Sequence, residues 1–322
     1  MKRRQLLGIT GAGLLTASTH NLAQPASTAR IGWLSADLSG GTEFLDAFRA
    51  GMRDLGYAEE RNLVIDARWG ERSAERVEQL AAALVASKPQ LIITQATFAL
   101  KRAGATMPVV FGFSGDPVEA KLVQSLGRPG GNFTGMAFLS LELAGKRMQL
   151  TKELMPRLKR IAIVCAPEHA GQPAELQVSQ AAAKALDIGV DYFPVRSAAD
   201  IDAAFAAMRK SGSEAVMVFP DALTARQRDQ IAALAAKSRI PAVSGWALYA
   251  DAGFLFSYGP NLYDSFRRLA YYADRILKGA NPAELPVEQP ATFEMVLNLK
   301  TAKALGLKVP QSILIQATKV IE

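Results

Sequence analysis

This chain carries very little reactive side-chain chemistry. A single cysteine, Cys165, stands among 322 residues, so no intrachain disulfide can form in any compartment. It lies in the apolar run RIAIVCAP and reads as a buried small hydrophobe rather than a nucleophile. Histidine is nearly as scarce, with His20 and His169 only. A histidine-ligated metal site and a Ser-His-Asp triad both lack parts, so we expect no metal, no cofactor and no catalysis. The basic residues are interspersed with acidic ones and form no block that would follow a phosphate backbone, which argues against a nucleic-acid partner. No apolar run approaches the roughly 20 residues that span a bilayer.

What the chain does have begins at its N-terminus. Lys2, Arg3 and Arg4 precede a weakly apolar, glycine-rich run from Leu6 to Ala17, and small residues then lead to a cleavage site expected near Ala23. Basic start, apolar middle and small-residue cut make the layout of an export signal. Arg3-Arg4 also suits the twin-arginine route. We therefore expect residues 1–29 to act as a signal peptide, a mature start between Gln24 and Ala29, and a periplasmic location. No cysteine sits near the cut to take a lipid anchor. Loss of the three cations Lys2, Arg3 and Arg4 leaves +4 of the formal +7, a modest excess for a solvated surface.

Beyond the signal, short apolar runs alternate with amphipathic ones, which predicts strands followed by helices. Strands are expected at 30–35, 62–68, 90–95 and 108–113. Helices are expected at 42–55, 73–87 and 98–104, and from Asp116 to Leu126. Four strand–helix units in succession imply a parallel sheet covered on both faces. Arg128-Pro129-Gly130-Gly131-Asn132 breaks the pattern and marks the end of the first half. The alternation resumes with a helix at 141–155 and strands at 160–166, 190–195, 214–219, 240–244 and 254–258. Helices at 174–186, 199–210, 224–237 and 262–278 separate and follow them. A proline-rich segment at 281–290 and a mixed tail at 292–322 complete the chain. The fold class is thus α/β, with two successive parallel units and a cleft at the C-terminal ends of the strands, where open α/β sheets take their ligands.

Several strings then carry a resemblance. They are Gly115-Asp116-Pro117-Val118, the turn Ser125-Leu126-Gly127-Arg128-Pro129-Gly130-Gly131-Asn132 with Thr134-Gly135 behind it, and Ser257-Tyr258-Gly259-Pro260. Ile276-Leu277-Lys278-Gly279-Ala280, Leu285-Pro286-Val287-Glu288-Gln289-Pro290 and Asn298-Leu299-Lys300-Thr301-Ala302-Lys303-Ala304-Leu305-Gly306 follow. In their order and spacing they resemble the ABC-transporter substrate-binding proteins of the TrpX-like family, across 30–322. The resemblance implies a type I periplasmic binding fold: two Rossmann-like lobes with parallel sheets, joined by a hinge of about three strands. The lobes would be formed by 30–136 with about 259–290, and by 137–258 with about 291–322. It further implies a small polar solute such as an amino acid or related organic acid, a membrane permease with its cytoplasmic ATPase as partners, and a monomer that meets the membrane only through that permease. Relatives often carry a Gly/Thr-rich turn after the third strand. Here Thr94-Gln95-Ala96-Thr97-Phe98 replaces it, so Gln95 and Phe98 are expected to reshape the site.

Candidate ligand residues cluster at strand ends. Ser35 and the Ser39-Gly40-Gly41-Thr42 stretch precede the first helix and suit a carboxylate or hydroxyl, or plain helix capping. Thr94, Gln95 and Thr97 end the third strand. Ser114 and Asp116 end the fourth, and Asp116 before Pro117 reads as an N-cap or a ligand contact. In the second half, Pro167 and Glu168 follow one strand and Asp221 another. An acid there can pair with an ammonium group or cap a helix. Trp246 can stack on a ligand or simply pack. Tyr258 ends the last strand at the expected hinge, whereas Trp33 reads as core. Two other functions share this architecture: a ligand-sensing receptor domain feeding a membrane sensor, and an exported enzyme built on Asp116, Glu168 and Asp221.

Overall fold

The computed structural model describes residues 28–36, 39, 42–138 and 141–322. The expected signal peptide up to residue 27 lies outside the described residues, as do Gly40 and Gly41. Among the described residues no helix is long and apolar enough to cross a membrane.

The first half builds β1 (Ala29–Ser35), α1 (Glu43–Asp54), β2 (Leu63–Trp69), α2 (Ala74–Ala86), β3 (Leu91–Thr94), α3 (Thr97–Arg102), β4 (Val109–Phe113) and β5 (Phe133–Ala137). The strands form one sheet in the order β2-β1-β3-β4-β5, parallel throughout. Strands β3, β4 and β5 are buried at every position, as strands covered on both faces are, whereas the edge strand β2 is only partly buried. Ile31 and Trp33 join the core with Phe48 of α1, whereas their neighbour Leu34 packs with Leu84 of α2 and Leu100 of α3. That is the period-two alternation of a strand, with an apolar partner on each side.

The second half runs α4 (Leu141–Leu154), β6 (Arg160–Cys165), α5 (Gln172–Ala185), β7 (Gly189–Pro194), α6 (Ala198–Ser211), β8 (Ala215–Val218), α7 (Ala222–Arg226), α8 (Arg228–Ser238), β9 (Ala242–Ser244), α9 (Ala247–Asp251) and β10 (Phe256–Pro260). The chain then returns to the first sheet. Helix α10 (Leu262–Leu277) buries Leu262, Phe266, Leu269, Ala273 and Ile276, a stripe at helical spacing, against α1 and β3–β5. After a 3₁₀ turn at Pro282–Glu284, Glu288 bridges to Met136 beside β5. The chain crosses back to β11 (Phe293–Asn298), α11 (Leu299–Leu305), α12 (Gln311–Gln316) and β12 (Lys319–Ile321). The second sheet has the order β12-β11-β10-β9-β8-β6-β7. The two sheets with their helices make two α/β lobes.

Three local expectations are corrected. The run from Asp116 to Leu126 is turns, not a helix. One turn forms, with Ala120 N–H donating to Asp116 O. Lys121 then enters the left-handed region at φ 53°, and Leu122 and Val123 drop into the core. The expected helix at 224–237 is two helices, parted at Gln227. Strand β5 and helix α9 were not anticipated, and β11 runs antiparallel to β10 in an otherwise parallel sheet.

Candidate functional site

The loops that follow the C-terminal ends of β1, β3, β4 and β5 face those that follow β8, β9 and β10. Between them lies a chamber of about 220 Å³. That is somewhat below the roughly 300–1,000 Å³ of drug-sized sites and gives room for one small solute. Its walls are mostly apolar, and four aromatic rings line it: Phe44 at the start of α1, Phe98 in α3, Phe138 behind β5 and Trp246 behind β9. Phe138 and Trp246 meet edge to face across the two lobes, with ring centroids 6.4 Å apart at 89°. Phe44 is held by stacking on Phe266 at 4.7 Å, and Phe98 by an edge contact with Phe113 at 5.8 Å.

Few polar groups reach this chamber. Gln95, Thr97 and Ser114 line it, and the buried Thr97 hydroxyl has no hydrogen-bond partner among the described residues. A Glu78–Arg102 ion pair joins α2 to α3 at its edge, and Arg226 approaches from the second lobe.

A much smaller crevice adjoins the chamber and shares Ser114, Phe138 and Trp246 with it. Its volume is about 10 Å³, close to the least that holds one water. Its character is opposite, because Arg147 of α4 and Glu175 of α5 line it. Their side chains are only 5% and 2% exposed, and Arg147 Nη2 donates to Glu175 Oε1 at 2.6 Å. Arg147 Nε and Glu175 Oε2 are left without hydrogen-bond partners among the described residues. Burial pushes the Glu175 carboxyl above its ordinary range despite the pull of the guanidinium, and pulls Arg147 down. Two glycines make room for this pair. A Cβ on Gly245 would lie 2.4 Å from Arg147 Nη1, and one on Gly259 would lie 1.8 Å from the Gly245 carbonyl oxygen. The backbone behind β9 and at β10 therefore packs closely only without side chains there.

The lobes also touch directly. Asp116 N–H donates to Ala170 O at 3.1 Å, Ser114 Oγ lies 3.3 Å from His169 Nε2, and Arg72 pairs with Asp229 at 3.1 Å. Glu71 and Arg72 both adopt positive φ, at 50° and 59°, a costly conformation for residues with a Cβ. This bend accompanies the reach of Arg72 to the other lobe.

Of the residues singled out in the sequence, Gln95, Thr97, Phe98, Ser114 and Trp246 line the chamber. The others do not, and each has another role. Thr94 donates to Leu34 O and accepts from Ala96 N–H, which ties β3 to β1. Ser35 is buried at the end of β1. Asp116 accepts from Val118 and Glu119 N–H and caps a turn. Asp221 is 2% exposed and accepts from the N–H groups of Leu223, Thr224 and Ala166; it is the N-cap of α7 and staples that helix to β6. Glu168 turns outward to an exposed ion pair with Arg196, and Pro167 lies beside it, lining neither cavity. Tyr258 packs against the core on the α4 face of the second sheet. Thr42 caps nothing with its hydroxyl, which donates to Asp46 instead. Trp33 is core, and burial pushes the Cys165 thiol up to about 12, as suits an inert packing residue.

Phe138, Arg147, Glu175 and Arg226 escaped the sequence reading. One signal was available: Arg147 falls within a stripe of buried positions, Leu143, Ala144, Arg147, Met148, Thr151 and Leu154, where a charge is out of place. Glu175 likewise sits on the buried stripe Gln172, Glu175, Ser179 and Ala183.

This architecture, with a solute-sized chamber between two α/β lobes, is that of binding proteins that enclose a ligand. The chain belongs to the family of ABC transporter substrate binding proteins, which matches residues 39–321. It is similar to a tyrosine-binding protein of Clostridioides difficile (strain R20291), 25% identical over 270 residues that cover 81% of this chain and 76% of that protein. Among solved structures it is similar to an ABC domain from Streptococcus pneumonia in complex with L-Trp. The two are 27% identical with a TM-score of 0.83, over 92% of this chain and 100% of that one. A conserved domain protein from Vibrio cholerae matches at 26% identity and a TM-score of 0.82, over 91% of this chain and 100% of that one. The fold is the type I periplasmic binding fold.

Proposed function

We propose that this protein is exported to the periplasm as a monomer, traps an aromatic amino acid such as L-Trp or L-Tyr between its lobes, and presents it to an ABC permease and its ATPase. The observation that carries this reading is the chamber itself. Aromatic rings from both lobes converge on a space sized for one ring and its side-chain carbon. Burying an aromatic side chain there removes on the order of 150–250 Å² from water. At about 25 cal/mol per Å² that gives several kcal/mol toward binding. Two similar proteins, the tyrosine-binding protein of Clostridioides difficile and the L-Trp-bound domain of Streptococcus pneumonia, support this chemistry.

Binding and closure are one equilibrium. A solute that touches Phe44 and Phe98 on one side and Trp246 on the other gains both sets of contacts only when the lobes are together. It therefore shifts the population toward the closed form. The direct contacts Asp116–Ala170, Ser114–His169 and Arg72–Asp229 join the lobes in this structure, and opening the cleft would break them. The protein makes and breaks no covalent bond; it presents a shape that a permease reads. Small-angle scattering on the purified protein tests this. The radius of gyration is expected to fall on adding L-Trp or L-Tyr and to stay fixed with a sugar control. An unchanged profile with every amino acid sinks the reading.

A further inference from the structure

We propose that the crevice beside the chamber is the subsite for the ligand's α-ammonium group, with the free Glu175 carboxylate oxygen as its acceptor and Arg147 holding the other oxygen. This deepens the aromatic amino-acid reading and rests on it.

Three observations carry the assignment. The crevice opens beside the chamber at Ser114, Phe138 and Trp246, so a ligand whose ring fills the chamber has its head group at that mouth. Its volume of about 10 Å³ fits one water-sized group, and an ammonium is such a group. Glu175 is 2% exposed and keeps one oxygen, Oε2, unpartnered, while Arg147 takes the other at 2.6 Å. A buried carboxylate with an idle oxygen is costly unless something donates to it. An ammonium has three donors and supplies what is missing. Arg147 Nε is likewise without a hydrogen-bond partner among the described residues.

The neighbouring charges fit the same assignment. Asp221 is also buried, but three backbone N–H groups satisfy it, so it does not compete for the ammonium. His169 contacts Ser114 at the crevice mouth. Arg226 lines the main chamber instead and is the rival anchor for a ligand carboxylate.

Calorimetric titration of the purified full protein with L-Trp, indole-3-propionate and tryptamine tests the proposal. The first analogue lacks the ammonium and the second lacks the carboxylate. A charge-assisted hydrogen bond in a buried site sets the scale, so indole-3-propionate is expected to bind at least about 30-fold more weakly than L-Trp. In Glu175→Gln, which keeps the shape, L-Trp is expected to weaken by a similar factor while indole-3-propionate holds its affinity, so the gap closes. Far-UV circular dichroism and thermal melting establish that the variant is folded. The wild-type comparison stands without the variant if it is not. Equal binding of L-Trp and indole-3-propionate to wild type overturns the proposal and leaves the aromatic amino-acid reading standing. A gap that survives Glu175→Gln but closes in Arg226→Gln also overturns it and moves the head group to the chamber wall. No binding of L-Trp, L-Tyr or any other amino acid overturns both.

Discussion

The two adjoining cavities share three residues and differ in almost everything else. The chamber is roomy, walled by Phe44, Phe98, Phe138 and Trp246, and nearly free of committed polar groups. The crevice holds one water-sized group and is lined by a fully buried ion pair. Such a division separates affinity from selectivity. Apolar burial in the chamber is favourable for any ring that fits, and it discriminates weakly among rings. A buried ion pair contributes little net stability, because desolvating the two charges offsets their attraction. It penalises heavily any partner that fails to satisfy it. Under the proposed reading, the chamber would set how tightly a ligand is held and the crevice which head group is accepted.

Substitutions that unbalance the crevice should have the largest effect. Arg147→Met leaves Glu175 as a lone buried charge and is expected to cost about 3–5 kcal/mol of folding stability in urea denaturation. Replacing both partners, Arg147→Met with Glu175→Leu, should recover most of that loss while abolishing head-group selection. A single variant as stable as wild type would mean that the pair is not held as the structure shows. Trp246→Ala removes a ring common to both cavities and should cost about 3 kcal/mol of stability. Phe98 is 40% exposed, so Phe98→Ala should leave the melting temperature nearly unchanged. It should weaken ligand binding about tenfold, the worth of one aromatic contact. Loss of stability without loss of affinity would remove Phe98 from the site.

The pH dependence separates the cavities by sign. Burial raises the Glu175 carboxyl, with Arg147 and His169 opposing and Asp221 adding to the rise. A raised folded value means that the folded state takes up this proton before the unfolded chain does. Stability of the ligand-free protein from this group therefore grows as pH falls through the folded value toward the ordinary value of about 4.3. Ligand binding should move the other way, because a protonated Glu175 no longer accepts from an ammonium. Binding of indole-3-propionate, which uses only the chamber, should not show that loss. Titrations at several pH values on both ligands give the comparison directly. The smallest effect is expected at the cleft edge. Arg72→Ala removes an ion pair whose partners are 27% and 62% exposed. It should change affinity by about 0.5 kcal/mol or less, and by less still in high salt.

The sequence exposed the lobes more readily than the site, for physical reasons. Strands covered on both faces are continuous apolar runs, and α1 and α10 carry apolar stripes at helical spacing, so both are visible locally. Strand β5 was harder to see, because Phe133-Thr134-Gly135-Met136-Ala137 lies beside a glycine-rich turn and pairs with a strand two dozen residues earlier. The 116–126 segment has helix-like composition, but its fate is set by where Leu122 and Val123 must pack. At the site, strand-end positions pointed to Gln95, Thr97, Ser114 and Trp246. The acids chosen there, Asp116, Glu168 and Asp221, spend their oxygens on backbone amides or on Arg196, which is a matter of local geometry. The charge that lines the crevice comes from the buried faces of α4 and α5, away from any strand end. The anomalies of Arg147 and Glu175 on the buried stripes of these helices hinted at it.

The most direct test of the division between chamber and crevice is a crystal structure of the protein with L-Trp bound. The indole should lie between Phe44, Phe98 and Trp246, with the ligand's ammonium nitrogen within hydrogen-bond distance of Glu175 Oε2. An indole in the chamber whose ammonium points to solvent or to Gln95, with the Arg147–Glu175 crevice filled by water alone, would contradict it.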